Sequence, residues 1–410
     1  MMKLPYHERG DKSMDPLFLK AIPILKKLHN HGFEAYFVGG SVRDTVMNRP
    51  IHDIDIATSA TPDEVISIFP KTVDVGAKHG TIIVVTNDGE MYEITTYRTE
   101  GTYSDNRRPD EVVFVTSLEE DLRRRDFTIN AMAMSINGEI VDPFNGQDDI
   151  KNRWIRTVGV AQERFYEDAL RMMRAVRFSS QLEFDIDSTT LHAMEEHSER
   201  LSSVSVERKT IEIIKLLKGK NVQRALQYLL ETKLYLYLPN FHNKNQEILS
   251  MSRFNFSAFT SDSEIWTAVI ISLKIQDVKT FLTDWKLPNK VIQQVLTNMK
   301  CMEEWKENSW TKLLLYKVGI ETALECDNIL SITNGEVSVK QVLLQMHEQL
   351  PIKHKNDLMI NGNDILQIVN KKRGSWVKDM LEELERKVIA GELENRPDAL
   401  KEWVENCKHI

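Results

Sequence analysis

Short stretches in which apolar and polar residues alternate, typical of β-strands, mark the first 150 residues of the chain. They lie at residues 33–38, 52–57, 81–86 and 91–97. The last two flank Asn-Asp-Gly-Glu, a strong hairpin signal. Residues 16–31 have apolar positions at helical spacing, and Thr61-Pro62-Asp63-Glu64 predicts a helix start with a capping box. This part is predicted to be an α/β head with a mixed or antiparallel sheet.

From about residue 160 the strand pattern ends and amphipathic helical stretches continue to the C-terminus. Clear examples are residues 209–217, 222–230 and 376–389. The predicted fold class is therefore α+β, with a catalytic head and an all-α arm. We expect four parts, namely a head (1–150), a neck (151–213), a body (214–305) and a tail (306–410).

Length and composition agree with several domains and exclude some classes of protein. A chain of 410 residues, 41% of them hydrophobic, is too long for one ordinary domain. No apolar run approaches the ~20 residues that a bilayer span needs, so no membrane partner is expected. The three cysteines, Cys301, Cys326 and Cys407, lack metal-ligand spacing and are typical of free thiols in a cytoplasmic protein. Assembly into a homodimer is left open.

Charge is distributed unevenly along this acidic chain, whose formal net charge is −8. Residues 151–177 carry seven basic side chains against three acidic ones, a local charge of +4. An acidic whole argues against a protein that coats nucleic acid indiscriminately. A local basic strip suits a site that binds phosphates and releases them again.

Two carboxylates, Asp53 and Asp55, lie two residues apart on a predicted strand, so both point to the same face. Ile54 and Ile56 point the other way, into the core. Paired carboxylates can hold Mg²⁺, and two metal ions about 4 Å apart can activate a hydroxyl and stabilise a pyrophosphate leaving group. Taken alone, the pair is more readily explained by solvated acids on an edge strand.

The context that favours a catalytic site is the stretch Gly39-Gly40-Ser41-Val42-Arg43-Asp44, just upstream. Two glycines allow backbone N–H groups to approach a triphosphate, the following helix contributes its positive end, and Arg43 supplies a charged fork. In isolation this is equally a tight strand-to-helix turn with a surface arginine. A phosphate-binding turn next to paired carboxylates predicts nucleotidyl transfer.

A helix is predicted over residues 167–178. Its apolar side chains fall at i, i+3, i+4 and i+7 and predict one buried stripe, formed by Ala169, Met172, Met173 and Val176. Glu167, Arg171 and Arg174 lie on the opposite face. That face is also compatible with an exposed surface carrying a Glu167–Arg171 ion pair.

In these motifs the sequence resembles the DNA polymerase β-like nucleotidyltransferases, and more narrowly the class II tRNA CCA-adding enzymes and the related bacterial poly(A) polymerases. The resemblance runs in order through residues 37–44, 52–57, 76–81, 124–131, 142–146 and 167–178. It implies a polymerase-β-like head, addition of C, C and A to the 3′ end of tRNA from CTP and ATP, and Mg²⁺ as cofactor.

The same resemblance implies roles for individual residues. Asp53 and Asp55 are the catalytic metal ligands, and Gly40 and Arg43 belong to the nucleotide site. Arg125, paired with Asp126 in its motif, contacts the phosphates or the ribose. Asp168 and Arg171 select the base, with Arg174 and Arg177 nearby on phosphate or tRNA. The neighbours Arg123 and Arg124 are better explained as a solvated helix end.

The chemistry of the bases supports this choice. C and A both present an amino donor beside a ring-nitrogen acceptor, which one carboxylate and one arginine would satisfy together. U and G present a carbonyl beside an N–H, so with the same pair an acceptor would face the carboxylate and a donor would face the arginine. A site that leaves buried polar groups unpaired rejects the wrong base strongly.

Three alternatives remain at this stage. The polar segment 99–111 is not shortened, and the resemblance implies a part for it in the switch from C to A addition. Its length is compatible with full CCA addition and with addition of A, so an A-adding enzyme or a bacterial poly(A) polymerase is the nearest enzyme rival. An inactive RNA-binding paralogue is the rival without activity. Glu93, on the predicted hairpin, is either a third metal-site carboxylate or part of a cross-strand surface pair.

Overall fold

The computed structural model describes residues 14–100 and 112–407. The chain divides into two compact units, with the boundary between Asn245 and Gln246. Residues 101–111, which contain most of the polar segment assigned to the switch from C to A addition, lie outside the described part. No helix in the described ranges is long and apolar enough to cross a membrane.

The first unit is built on a mixed seven-stranded sheet. Its strands and those of a small neighbouring pair are β1 (Ala35–Val38), β2 (Asp55–Thr58), β3 (Thr72–Gly76), β4 (Thr81–Val85), β5 (Met91–Thr96), β6 (Arg98–Glu100), β7 (Val112–Phe114), β8 (Ala133–Met134) and β9 (Ile140–Val141). The sheet order is β3-β4-β5-β2-β1-β8-β9, and β6 and β7 form a separate two-stranded sheet. Only β2 and β5 run parallel, and the other neighbours are antiparallel. The predicted mixed sheet and the β4–β5 hairpin are confirmed.

Five helices accompany this sheet: α1 (Pro16–Asn30), α2 (Gly40–Val46), α3 (Pro62–Ile68), α4 (Leu118–Arg123) and α5 (Gly146–Asn152). The predicted capping box starts α3, because Thr61 and Glu64 satisfy each other's backbone N–H groups. The apolar side of α1 packs on the sheet, where Phe18 meets Phe37 with ring centroids 4.7 Å apart. On the opposite face of the central strands, a second apolar cluster that includes Val38, Ala57 and Ala133 packs against Leu122 of α4.

The start of β2 differs from the prediction, which placed a strand from residue 52. Only Asp55 lies on the strand, and Asp53 lies in the segment before it. Alternation of burial nevertheless continues through the segment, since Ile54 and Ile56 are buried and both aspartates are exposed. The two carboxylates therefore still face away from the core.

Five further helices complete the first unit: α6 (Ala161–Glu167), α7 (Leu170–Leu182), α8 (Ser188–Glu196), α9 (Val206–Leu217) and α10 (Val222–Glu231). A short parallel pair, β10 (Trp154–Ile155) with β11 (Asp185–Ile186), lies among them. The single helix predicted over 167–178 is wrong at its start, because Asp168 has extended backbone (φ −144°, ψ 102°) and separates α6 from α7. The predicted apolar stripe of α7 is fully buried.

The second unit is helical in its described residues. Its helices are α11 (Asn245–Ser250, beginning at the boundary), α12 (Asp262–Leu273), α13 (Val278–Asp284), α14 (Asn289–Asn308), α15 (Lys312–Asn334), α16 (Lys340–Glu348), α17 (Gly362–Val369), α18 (Trp376–Ala390) and α19 (Pro397–Asn406). Gly319, at φ 77°, interrupts α15 with a kink. A continuous core that includes Leu315, Leu343, Ile365 and Leu384 joins the later helices.

Candidate active site

An open cleft with about 520 Å³ of free volume lies in the first unit. Its lining comes from the turn before α2, the start of β2, the segment after α4, and helices α7 and α9. The lining residues are Gly39, Gly40, Arg43, Asp55, Arg124, Arg125, Asp126, Asn130, Asp168, Leu170, Arg171, Arg174, Arg177, Phe178, Gln181 and Arg208. Every site residue predicted from the sequence is among them except Asp53. Residues far apart in sequence thus meet in one place.

The glycine turn between β1 and α2 brings the backbone close to charged side chains. Gly39 has φ 74°, a backbone conformation that residues other than glycine rarely adopt. A Cβ atom there would lie 3.2 Å from Oδ2 of Asp55 and 3.5 Å from Nη1 of Arg125. The missing side chain therefore leaves the space in which Asp55 and Arg125 approach each other.

Carboxylates from two adjacent strands lie at this edge of the sheet. Asp55 on β2 is in register with Glu93 on the parallel strand β5, so both side chains leave the same face. The cleft walls partly desolvate the carboxylate of Asp55, although it still reaches solvent, and so raise its pKa; Arg125 lowers this pKa and the charge of Asp53 raises it. Burial and then the charge of Asp55 raise the pKa of Glu93. Mutual repulsion of this kind is what a bound cation would relieve.

These acids do not form a preassembled metal centre. Across residues 14–100 and 112–407, no three or more His, Cys, Asp or Glu side chains are grouped so as to hold a metal ion. The arrangement provides carboxylates from two adjacent strands and leaves the other coordination positions open. Mg²⁺ is commonly held in this way, by one or two carboxylates together with substrate phosphates and water.

Asp126 is an internal anchor of the cleft wall. Its carboxylate accepts hydrogen bonds from Nε of Arg174 (2.7 Å) and from Nδ2 of Asn130 (3.1 Å). Burial alone would raise the pKa of Asp126, but the charge of Arg174 and these hydrogen bonds outweigh burial and lower it to about 2. Asp126 is therefore ionised at neutral pH and fixes Arg174 in place.

Asp121 plays the same part for two neighbouring arginines. It is fully buried in α4 and accepts from Nε of Arg124 (2.9 Å) and Nη2 of Arg125 (3.2 Å). The prediction of a solvated helix end is right for Arg123, whose side chain is 63% exposed, and wrong for Arg124, which Asp121 holds against the cleft. The guanidinium of Arg125 is thus oriented from behind.

Asp168 and Arg171 both line the cleft, but each is paired with another residue. Arg208 of α9 donates to both carboxylate oxygens of Asp168, at 3.2 and 2.6 Å. Arg171 donates to Glu167 (Nη1–Oε2 2.5 Å) and, through Nη2, to the carbonyl oxygen of Arg124 (3.0 Å). The Glu167–Arg171 ion pair therefore forms, although it lies in a largely buried wall rather than on an exposed surface.

The remaining arginines of the cleft are also held by acids. Arg43 donates to both oxygens of Asp44 at 3.0 Å and to Oδ1 of Asn130 at 2.8 Å. Arg177 lies with Nε 2.7 Å from Oε2 of Glu212. Guanidinium groups held in this manner lose little conformational entropy when they bind an anion.

Sequence reasoning missed Arg208 and Glu212 on α9, the buried Asp121, and Phe178. A signal existed for Glu212, because it lies with Lys209, Ile213 and Leu216 on the buried side of an amphipathic helix. A charged residue at a position where periodicity expects an apolar one needs a buried partner. The sequence does not show which partner it has.

Comparison with known proteins gives consistent results along the chain. Residues 35–156 match the family described as the Poly A polymerase head domain, and residues 257–404 match tRNA nucleotidyltransferase domain 2. The CCA-adding enzyme of Bacillus licheniformis is 47% identical over 402 residues, which cover 97% of this chain and 100% of that protein. The CCA-adding enzyme of Bacillus subtilis is 46% identical over 399 residues, with 96% and 99% covered.

Solved structures give the same result. The crystal structure of the Bacillus stearothermophilus CCA-adding enzyme in complex with CTP superimposes with a TM-score of 0.91 at 42% identity, covering 97% of this chain and 98% of that one. The Thermotoga maritima CCA-adding enzyme complexed with tRNA, at 21% identity and a TM-score of 0.63, shares the fold. With near-complete coverage at almost half identity, this chain belongs to the family of CCA-adding enzymes.

Proposed function

We propose that the protein adds C, C and A to the 3′ end of tRNA, using CTP and ATP and releasing pyrophosphate. The observation that carries this proposal is a single cleft in which the carboxylate of Asp55 faces a wall of arginines that are ion-paired to acidic side chains. Carboxylates suit metal-assisted transfer, and preorganised arginines suit a triphosphate. The curated relatives at 45–47% identity are CCA-adding enzymes, which favours CCA addition over the A-adding and poly(A) alternatives.

Mg²⁺ fits the acidic edge of the cleft. Asp53 and Asp55 would hold it, since both are exposed, lie close enough to repel each other, and offer the oxygen ligands that this ion prefers. When bound, the metal supplies a lowered pKa for the attacking 3′-hydroxyl and charge neutralisation for the departing pyrophosphate. Glu93, which is in register with Asp55, would complete the site.

The arginines would bind the nucleotide's phosphates. Gly40 and Arg43 approach from the turn before α2, Arg125 from the segment after α4, and Arg174 and Arg177 from α7. Their supporting carboxylates orient the guanidinium groups before the nucleotide arrives. Positioning of this kind lowers the entropic cost of aligning the α-phosphate with the attacking hydroxyl.

Asp168 and Arg171 would select the base. The carboxylate of Asp168, just before the N-terminal end of α7, accepts hydrogen bonds from two N–H groups of Arg208 and from the backbone N–H of Leu170. A carboxylate has about four acceptor sites, so this support leaves acceptor capacity for the amino group of C or A. Arg171 would donate to the ring nitrogen beside that amino group. With U or G, a carbonyl would face Asp168 and an N–H would face Arg171, so neither hydrogen bond could form.

The helices from residue 214 onwards would bind the tRNA by its shape. An A-form acceptor stem offers phosphates and 2′-hydroxyls that a protein can hold without sequence recognition. We assign this role to the body (214–305) and the tail (306–410), with the head (1–150) and the neck (151–213) carrying the chemistry. Free thiols at all three cysteines agree with a cytoplasmic location.

The test is nucleotide addition to a defined tRNA that ends just before the CCA sequence. With CTP alone, two residues should be added; with CTP and ATP together, three. Addition of A to a tRNA that already ends in CC, with no addition of C to the shorter tRNA, would support the A-adding rival. Long A tails would indicate a poly(A) polymerase, and tRNA binding without any addition would indicate the inactive paralogue.

A further inference from the structure

One aromatic ring, that of Phe178 on α7, lies among three of the cleft arginines. The guanidinium carbon of Arg177 is 4.0 Å from the ring centroid, that of Arg43 is 5.2 Å away and that of Arg174 is 5.6 Å away. Arg43 comes from α2, whereas the other two belong to α7. The ring is therefore a contact that these three cations share.

Phe178 itself is fixed from behind. Its ring meets Phe127 edge to face, with centroids 5.8 Å apart and planes at 86°, and only 4% of the residue is exposed. Phe127 is completely buried. A ring held in this way cannot move aside when the cations shift, so it sets their positions.

Three like charges around one point repel each other. Burial lowers the pKa of Arg177; Glu212 raises it, and the charges of Arg174 and Arg43 lower it further. Each guanidinium has its own carboxylate, but these acids lie on different elements. The electron-rich face of an aromatic ring attracts all three cations without using any of their N–H donors.

We propose that Phe178 is a positioning residue that holds Arg43, Arg174 and Arg177 as one clamp for the nucleotide's phosphates. The inference rests on the proposed function, because it takes the bound anion to be a triphosphate or pyrophosphate. The ring contacts no phosphate and acts through the arginines. An aliphatic side chain of similar size would fill the space but lose the attraction to the cations.

The test weakens the ring's attraction without changing its shape. In the full-length protein, Phe178 is replaced by phenylalanines carrying one, two and three fluorine atoms, which withdraw electrons from the ring face step by step. The dissociation constant of inorganic pyrophosphate is measured by calorimetry at fixed Mg²⁺. We expect it to rise with each fluorine, by about tenfold in all. A constant value across the series would overturn the proposal.

Substitution of Phe178 by other standard amino acids gives a second, independent measurement. Phe178→Leu should raise the KM for both CTP and ATP by about tenfold and leave the CTP:UTP preference and the KM for tRNA unchanged. Phe178→Tyr, which keeps the ring, should restore binding. The matched control is Phe165→Leu, a change at another fully buried phenylalanine of the neck. Equal effects of Phe178→Leu and Phe165→Leu on pyrophosphate affinity would reduce Phe178 to a packing residue.

Failure of this proposal is distinguishable from failure of the proposed function. If the wild-type protein adds C and A normally while the affinity for pyrophosphate is the same across the fluorinated series, only the proposed role of Phe178 is refuted. If the wild-type protein adds no nucleotide to tRNA, the proposed function is lost. If the affinity for pyrophosphate still falls with each fluorine in that case, Phe178 positions the arginines for an anion other than the nucleotide of tRNA extension.

Discussion

Removing either base-selecting side chain should relax the choice of nucleotide. Asp168→Ala and Arg171→Ala each remove one charged hydrogen-bonding group from the lip of α7, and a hydrogen bond to a charged group contributes about 1.5–3 kcal/mol. The preference for CTP over UTP should therefore fall by roughly one to two decades in each variant. The overall rate should also fall, because a loosely held base misplaces the α-phosphate.

The structure also sets the cost of these changes in stability. Asp168→Ala leaves Arg208 without its carboxylate, but the Arg208 side chain is 22% exposed and can be partly hydrated. Arg171→Ala leaves Glu167 with Arg164, whose Nη2 lies 2.5 Å from Oε1 of Glu167. Both variants should therefore fold, with a loss of about 1–2 kcal/mol in the free energy of unfolding.

The assay is a competition between CTP and UTP on a tRNA that ends just before the CCA sequence. Arg156→Ala is the matched control, because Arg156 is an ion-paired arginine of the same neck that does not line the cleft. Its CTP:UTP ratio should equal that of the wild type. If Asp168→Ala and Arg171→Ala also keep the wild-type ratio, both residues are structural ion-pair partners and the reasoning about base selection is refuted.

Three further outcomes are expected. Asp126→Asn should lower the free energy of unfolding by about 2 kcal/mol near pH 7. Because the folded-state pKa of Asp126 is lowered from 3.8 to about 2, its contribution is present above pH 4 and is lost as the pH falls towards 2; urea melts of both proteins should converge over that range. Shortening residues 101–110 should impair A addition more than C addition, and equal loss of both would make the segment merely structural. Glu93→Gln should raise the Mg²⁺ concentration needed for half-maximal C addition; an unchanged Mg²⁺ dependence would leave Glu93 as a cross-strand surface residue.

The sequence predicted helices well wherever local signals decide them. The capping box at Thr61 and the amphipathic periods of α9, α10 and α18 give boundaries within a few residues of those observed. These signals act within one or two turns of the chain, so a single sequence contains them. The hairpin of β4 and β5 was found for the same reason.

Strand ends could not be predicted, because they depend on partners. Val38 is the last residue of β1 and pairs with Asp55. Continuing that ladder would place the residues before Asp55 opposite Gly39 and Gly40, where the chain has already turned into α2. Asp53 therefore has no strand to pair with, although its own alternation with Ile54 predicted one.

Long-range ion pairs were the other part that spacing could not show. The predicted partner of Arg171 at i−4, Glu167, is observed, but Asp168 pairs with Arg208, 40 positions away, and Asp126 with Arg174, 48 away. The break before α7 accompanies such a contact, since Asp168 has an extended backbone while its carboxylate accepts hydrogen bonds from the backbone N–H of Leu170 and from Arg208. Periodicity alone predicted a continuous helix there.

The most direct test of the account is the loss of the carboxylates at the edge of the sheet. Asp53→Ala and Asp55→Ala are compared with Asp63→Ala, which alters an exposed aspartate of the same head. Addition of C and of A is measured under single-turnover conditions at saturating Mg²⁺, and tRNA affinity is measured separately. Both site variants should lose at least about a thousandfold in rate for each nucleotide and keep wild-type tRNA affinity, because these groups hold metal rather than RNA. Turnover by either variant at a rate comparable to the wild type and to Asp63→Ala would contradict the account.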